Sequence, residues 1–154
     1  MKVLGLMSGT SMDGLDCCLV EIKIEDENLC YDIIDFKTFK FNQSIKNKIR
    51  LHLGIENLSK LKTLDNELGE YFSKLAVKFI KDKKVDLVSF HGQTIFHNPR
   101  IKSIQVCNPK YFYYKFSVPV VYDFRSKDIK LGGEGAPLVP YLDWLLYKKM
   151  NKNV

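Results

Sequence analysis

No two cysteines in this chain are spaced for a metal or a redox disulfide. Cys17, Cys18, Cys30 and Cys107 include no CxxC pair and no zinc spacing. Reduced, mostly structural thiols of a cytosolic protein are therefore expected, with Cys17 and Cys18 on opposite faces of one strand. No apolar run is long enough to span a bilayer, and Met1 leads into a core strand without a cleavage signal, so a soluble, cytoplasmic protein with no membrane partner is expected. Arginine is scarce: only Arg50, Arg100 and Arg125 appear among 24 basic residues. The net charge is +6, but the lysines are scattered and form no run beyond Lys83-Lys84 and Lys148-Lys149, so nucleic acid is not an expected partner. No internal repeat or linker divides the 154 residues, and a 45% hydrophobic content can bury a real core. One domain, 1–154, is expected.

What is present is organised around the stretch from Val3 to Asp16, VLGLMSGTSMDGLD. A buried strand, Val3 to Met7, runs into small and polar residues, Ser8 to Gly14, and then into a second apolar run, Leu15 to Ile24. Asp13-Gly14 is a hairpin signal, because glycine takes positive φ freely and aspartate tolerates the turn. A hairpin needs only those two residues, yet three hydroxyls and another glycine precede them. Free backbone N–H groups and short donors at a strand end suit phosphate oxygens. An ordinary solvated hairpin is the alternative on local composition alone.

After a polar turn at Glu25-Asp26-Glu27-Asn28, a third strand runs from Leu29 to about Phe41, which makes an antiparallel meander. From Ser44 the spacing changes to three and four: Ile45, Ile49 and Leu53, then Leu61, Leu64, Leu68, Phe72, Leu75 and Phe79, up to Lys81. This spacing predicts amphipathic helices. Val85 to Phe90 reads as a buried strand and Ser103 to Cys107 as a brief segment. Asn108 caps a short helix, Lys110 to Phe116, with Pro109 at its first position. Tyr111 to Tyr114 fan around that helix, so about half of them should be core rather than a base-stacking platform. Val118 to Tyr122 forms another strand, and Pro137 opens a last helix. The order is β-β-β-α-β-α-β-α: an α/β fold with a mixed sheet, as in a ribonuclease-H-like lobe, with the later strands parallel to the first.

In such sheets ligands sit beyond the carboxyl ends of the strands. Three loops leave those ends: Ser8 to Gly14, His91 to Pro99, and Asp123 to Asp128 running on to Gly132-Gly133-Glu134-Gly135-Ala136-Pro137. Six of the nine glycines fall in them, as do His91, His97 and Arg125. They are expected to cluster on one edge, with 132–135 near Ser8 to Gly14. In a lysine-rich chain, Arg125 points to a forked contact with a carboxylate or phosphate, or else to an ion pair with Asp123 or Asp128. His91, directly after a buried strand, reads as a structural donor, and His91 with His97 is too sparse for a metal site.

GLMSGTSMDGLD, HGQTIFHNP and DFRSKDIKLGGEGAPLVP together resemble, in order and spacing, the N-terminal half of the anhydro-N-acetylmuramic acid kinases, of the sugar kinase/Hsp70/actin superfamily. The resemblance covers essentially the whole chain. It implies an enzyme of cell-wall recycling and amino sugar metabolism, a phosphotransferase using ATP and Mg²⁺. The reaction implied is hydrolytic opening of 1,6-anhydro-N-acetylmuramic acid with phosphorylation of its 6-oxygen, giving N-acetylmuramic acid 6-phosphate. Carried over by residue, Gly9, Thr10, Ser11, Met12, Asp13, Gly14, Leu15 and Asp16 form the ATP phosphate loop. Thr94 and Arg125 face the sugar, Arg125 at its lactyl carboxylate. No metal ligand is carried over.

Two departures accompany the resemblance. The family motif has glutamine where this chain has Glu134, an anion that repels phosphate unless it is paired or turned away. The chain also stops at Val154, about where the family enters a second lobe carrying further ATP contacts and the aspartate that activates water. The expectation is an N-terminal lobe, inactive alone, with its catalytic base beyond Val154 and a homodimer open to the complete enzyme. Two other classes are weighed. A Mg²⁺-dependent nuclease would use Asp13, Asp123 and Asp128, although the first strand carries no acid. A non-catalytic interaction module would use the basic faces or the Tyr111 to Tyr114 helix.

Overall fold

The computed structural model describes residues 1–25 and 28–147. The chain runs β1 (Lys2–Met7), β2 (Gly14–Glu25), β3 (Asn28–Lys40), α1 (Gln43–Arg50), α2 (Leu58–Ile80), β4 (Leu87–Phe90), β5 (Gln93–Asn98), β6 (Lys102–Val106), α3 (Lys110–Phe116), β7 (Val120–Val121), α4 (Phe124–Lys130) and α5 (Val139–Tyr147). Five strands form one mixed sheet in the order β3-β2-β1-β4-β7. The first three are antiparallel, as their short connections require, while β4 and β7 add in parallel through helical crossovers. The parallel register sets Leu6 beside Phe90 and Ser89 beside Val121. The carboxyl ends of β1, β4 and β7 therefore share one edge.

One face of this sheet holds the core. Leu4 and Leu6 of β1 and Leu15, Cys17 and Leu19 of β2 alternate inward, and all are buried. Against them lies α2, whose Leu61, Leu64, Leu68, Phe72, Ala76 and Phe79 follow the helical repeat and are buried as well. Each such leucine or phenylalanine contributes roughly 1.5–3 kcal/mol through burial. Phe41 stacks on Phe72 with ring centroids 5.5 Å apart, which locks the end of the meander to the helix. Both helices start on asparagine caps: Asn42 Oδ1 accepts from the Ile45 N–H and Asn57 Oδ1 from the Ser59 N–H, each at 2.9 Å. Cys17 is buried and Cys18 half-buried on the other face, as expected from their adjacency; burial, with Asp16 beside it, pushes the Cys17 thiol up to about 12.

Several sequence expectations are corrected. His91 to Pro99 is not a loop, because Gln93–Asn98 pairs antiparallel with β6 in a separate two-stranded sheet. Its alternation of buried Gln93 and Ile95 with half-buried Thr94 and Phe96 is that of a strand, hidden by its polar residues. Asp123 to Asp128 is not a loop either, since α4 begins at Phe124; with only Phe124 and Ile129 apolar, it shows no amphipathic period. The last helix begins at Val139 rather than Pro137, and the Val118 to Tyr122 strand contracts to Val120–Val121. The strand read from Val85 begins at Leu87, and Leu53 lies in the turn after α1. Pro109, not Asn108, stands at the N-cap of α3, although Asn108 Oδ1 still accepts from the Lys110 N–H at 3.0 Å. Of the aromatic run, Phe112 is buried, Tyr111 half-buried and Tyr113 and Tyr114 exposed. The turn expected at 25–28 is centred on Asp26 and Glu27, outside the described residues.

Gly69 marks where the segment before α3 crosses α2. A Cβ there would stand 2.7 Å from the Asn108 carbonyl oxygen and 2.8 Å from Tyr111 Cδ2. The Asn108 backbone cannot retreat, because its N–H donates to the Asp65 carbonyl at 3.0 Å and its side chain to Asn66 Oδ1 at 2.9 Å. Gly69→Ala should thus destabilise the protein by about 1–3 kcal/mol through overpacking, overriding alanine's helical advantage of about 1 kcal/mol. Thermal denaturation checks this: an unchanged or raised Tm contradicts it.

Candidate active site

The first motif connects β1 to β2 through residues 8–13. Its bend rests on Met12, at φ 56°, whose N–H donates to the Gly9 carbonyl at 3.2 Å. Gly14 corrects the sequence reading, for its φ is not positive and it opens β2. It is glycine because the Phe39 backbone of β3 occupies the space of a Cβ. Gly9 differs, since a Cβ there meets only Ser11 Oγ, at 3.6 Å. Thr10, Ser11 and Asp13 are exposed along the loop. Leu15 turns its side chain into the core, and Asp16 Oδ1 accepts from Thr38 Oγ1 at 2.5 Å.

A buried amide joins this loop to the second motif. Gln93, fully buried at the start of β5, accepts from Ser8 Oγ through Oε1 at 2.5 Å. Its Nε2 donates to the Gly9 carbonyl at 3.2 Å and to the Thr94 carbonyl at 3.4 Å. An apolar residue here would leave the Ser8 hydroxyl and the Gly9 carbonyl short of partners, which is costly in a buried setting. Thr94 itself is half-buried, and its Oγ1 accepts from Gln105 Nε2 at 3.3 Å. His97 contacts Ser103 Oγ at 3.1 Å rather than His91.

Arg125 extends the chain of contacts to the third motif. Its Nε donates to His91 Nε2 at 2.9 Å, and its Nη1 donates to the Gly135 carbonyl at 2.5 Å. Neither Asp123 nor Asp128 pairs with it, contrary to the ion-pair alternative. Asp128, one turn along α4, instead accepts the Gly135 N–H through Oδ2 at 2.7 Å. One helix therefore grips both polar groups of Gly135, which sits at φ +75°. Burial draws the Arg125 pKa down without threatening its charge. The Nη2 group has no partner among the described residues. His91 is buried, its Nδ1 lies 2.9 Å from the Gly92 carbonyl, and its pKa is lowered chiefly by burial.

Beyond this chain of contacts a cavity of about 750 Å³ opens on the sheet face opposite α2. Met7, Asp16, His91 and Arg125 line it, with 136–139 forming its far wall. Across the cavity that wall faces Gly5, Leu6 and Met7 of β1. Glu134 forms an exposed ion pair with Arg100 at 2.7 Å, so its charge is matched. Among the described residues no three His, Cys, Asp or Glu side chains gather for a metal, and Asp13, Asp123 and Asp128 do not converge as a nuclease would need. Gln93 is not singled out in the sequence, and Asp128 reads there as an ion-pair partner or nuclease carboxylate rather than as the acceptor of the Gly135 N–H. The signal for Gln93 is a polar residue at a strand start directly after His91-Gly92, and burial alone gives it meaning.

The family model for anhydro-N-acetylmuramic acid kinase matches residues 1–154. The chain belongs to the anhydro-N-acetylmuramic acid kinase family. Among curated relatives of that name, the chain is 41% identical to one from Clostridioides difficile (strain 630), covering 100% of this chain and 44% of the relative. It is 36% identical to one from Bacillus cereus (strain ATCC 10987 / NRS 248), over 99% of this chain and 43% of the relative. A third, from Caldanaerobacter subterraneus subsp. tengcongensis, is 34% identical over 99% of this chain and 42% of its own length. The chain thus spans less than half the length of these anhydro-N-acetylmuramic acid kinases. No described helix is long and apolar enough to cross a membrane.

Proposed function

We propose that this chain forms one lobe of a cytoplasmic, ATP-dependent kinase acting on 1,6-anhydro-N-acetylmuramic acid. Water opens the anhydro ring at the anomeric carbon, the 6-oxygen takes the γ-phosphoryl group, and N-acetylmuramic acid 6-phosphate and ADP result. The observation that carries this reading is the linkage of three motif segments at one sheet edge, Ser8 to Gln93 and Arg125 to His91. Ligands collect at such edges, and the strand order β3-β2-β1-β4-β7 supports a ribonuclease-H-like lobe. In this reading Gly9 to Asp16 receive the nucleotide phosphates, with backbone N–H groups and the Thr10 and Ser11 hydroxyls as donors. Thr94 and Arg125 face the sugar, Arg125 offering its Nη2 edge to the lactyl carboxylate.

Bound Mg²⁺ would supply positive charge against the nucleotide phosphates. Such an ion commonly needs few protein ligands beside the phosphates, and Asp13 and Asp16 are the carboxylates with which this loop would hold it. The water-activating base belongs to the remaining length that the relatives possess, so the lobe alone is inactive. The complete enzyme takes a small amino sugar, not nucleic acid, and a homodimer is compatible with it. The full-length protein, incubated with MgATP and 1,6-anhydro-N-acetylmuramic acid, should yield one equivalent each of ADP and phosphorylated N-acetylmuramic acid by mass spectrometry. ADP without sugar phosphate, or no turnover at all, overturns the reading.

A further inference from the structure

We propose that His91 is a positioning residue for Arg125, its neutral ring holding the guanidinium toward the sugar and releasing it when Nε2 takes a proton. The inference rests on the kinase reading above. An imidazole has two nitrogens, and each meets a defined partner here. Nδ1 lies 2.9 Å from the Gly92 carbonyl, which can only accept, so Nδ1 carries the hydrogen. Nε2 lies 2.9 Å from Arg125 Nε, which can only donate, so Nε2 presents its lone pair. The two contacts together select one neutral tautomer. Protonation would set N–H against N–H and cation against cation at the same nitrogen.

The guanidinium has little else to hold it. Its second anchor is the Gly135 carbonyl, in a segment that α4 itself grips through Arg125 and Asp128. His91 is different in kind, because it belongs to the sheet: its backbone N–H donates to the Leu6 carbonyl at 3.1 Å. It is the contact that refers Arg125 to the frame carrying the phosphate loop. The titratable and charged groups around His91 are Arg125, Asp16 and Cys18 in the larger cavity, and Asp65, Lys102, Cys107, Tyr122 and Asp123 in a second one of about 360 Å³ that His91 also lines. Of these, Arg125 is the one whose charge bears on the ring; it adds to burial in favouring the neutral form, and together they outweigh the Gly92 and Ser8 backbone contacts, which favour the protonated one.

The sign follows. A histidine whose folded pKa is depressed keeps its neutral contact above that pKa and loses it as the pH falls through it. In the full-length enzyme, the KM for 1,6-anhydro-N-acetylmuramic acid should therefore rise about fivefold or more as acidification carries the ring through its depressed pKa, located by the His91 ring ¹⁵N shifts, while the KM for ATP stays within about twofold. His91→Gln supplies the control, since its amide oxygen can accept from Arg125 Nε but does not titrate. The variant should keep a sugar KM near wild type at the alkaline end and stay flat with acidification. A wild-type sugar KM that does not rise, or a glutamine variant that rises equally, overturns the proposal. Absence of sugar turnover at every pH sinks the kinase reading and this inference with it, a result distinct from a flat profile. Ring ¹⁵N shifts of His91 in the same protein provide a readout independent of activity. At about pH 7.5 they should show a bare Nε2, and a protonated Nε2 there contradicts the proposal.

Discussion

Replacing Gly9 with valine in the full-length protein should abolish ATP binding while leaving the fold intact. The position tolerates a side chain as far as the protein is concerned, since an added Cβ meets only Ser11 Oγ at an ordinary 3.6 Å. What a branched side chain removes is the open space above a loop in which Thr10 and Ser11 are exposed. Glycine is used where a ligand must approach the backbone closely, and valine covers the backbone with two methyl groups. A loss of roughly a hundredfold or more in ATP affinity, about 2.7 kcal/mol, is expected, with Tm shifted by no more than a few degrees. Gly14→Val is the contrasting variant: the Phe39 backbone blocks its Cβ, so it should damage folding rather than binding alone. Calorimetric ATP titration of the Gly9 variant decides the matter, and unchanged affinity counts against the phosphate-loop reading.

Arg125→Lys should separate the two substrates. A lysine carries one compact ammonium where arginine presents a planar fork, and here the fork is already engaged on two sides, by His91 Nε2 and the Gly135 carbonyl. That engagement orients Nη2 and pre-organises it for a carboxylate. Lysine cannot satisfy both protein acceptors and still present a charge at the same place. The loss should be about 1.5–3 kcal/mol, or roughly tenfold to somewhat above a hundredfold in kcat/KM for the sugar. The KM for ATP, set by the first loop, should stay within about twofold. Steady-state kinetics with each substrate varied in turn test this. A near-wild-type response to the sugar would reduce Arg125 to a clamp on Gly135.

The three motifs, the antiparallel start and the parallel later strands were all legible in the sequence, because each depends on local chemistry. Hydroxyl and glycine choices at strand ends, alternation along β1 and β2, and the three-four spacing of α2 act within a few residues. The parallel placement of β4 and β7 followed from connection length alone. Where the local signal was polar, it misled. Gln93–Asn98 and Phe124–Lys130 carry too few apolar residues to show a period, and their structure comes from partners outside the segments themselves: β6 for the first, Gly135 for the second. The role of Gly14 was likewise a matter of the neighbouring strand, since the space it lacks is filled by Phe39. Only the tertiary structure could show that Gln93 is the buried amide holding Ser8 and Gly9, or that Arg125 turns to His91 rather than to the aspartates beside it. A hydrogen bond is directional and short, so which donor meets which acceptor is decided by how the strand ends converge, and sequence proximity carries no information about that.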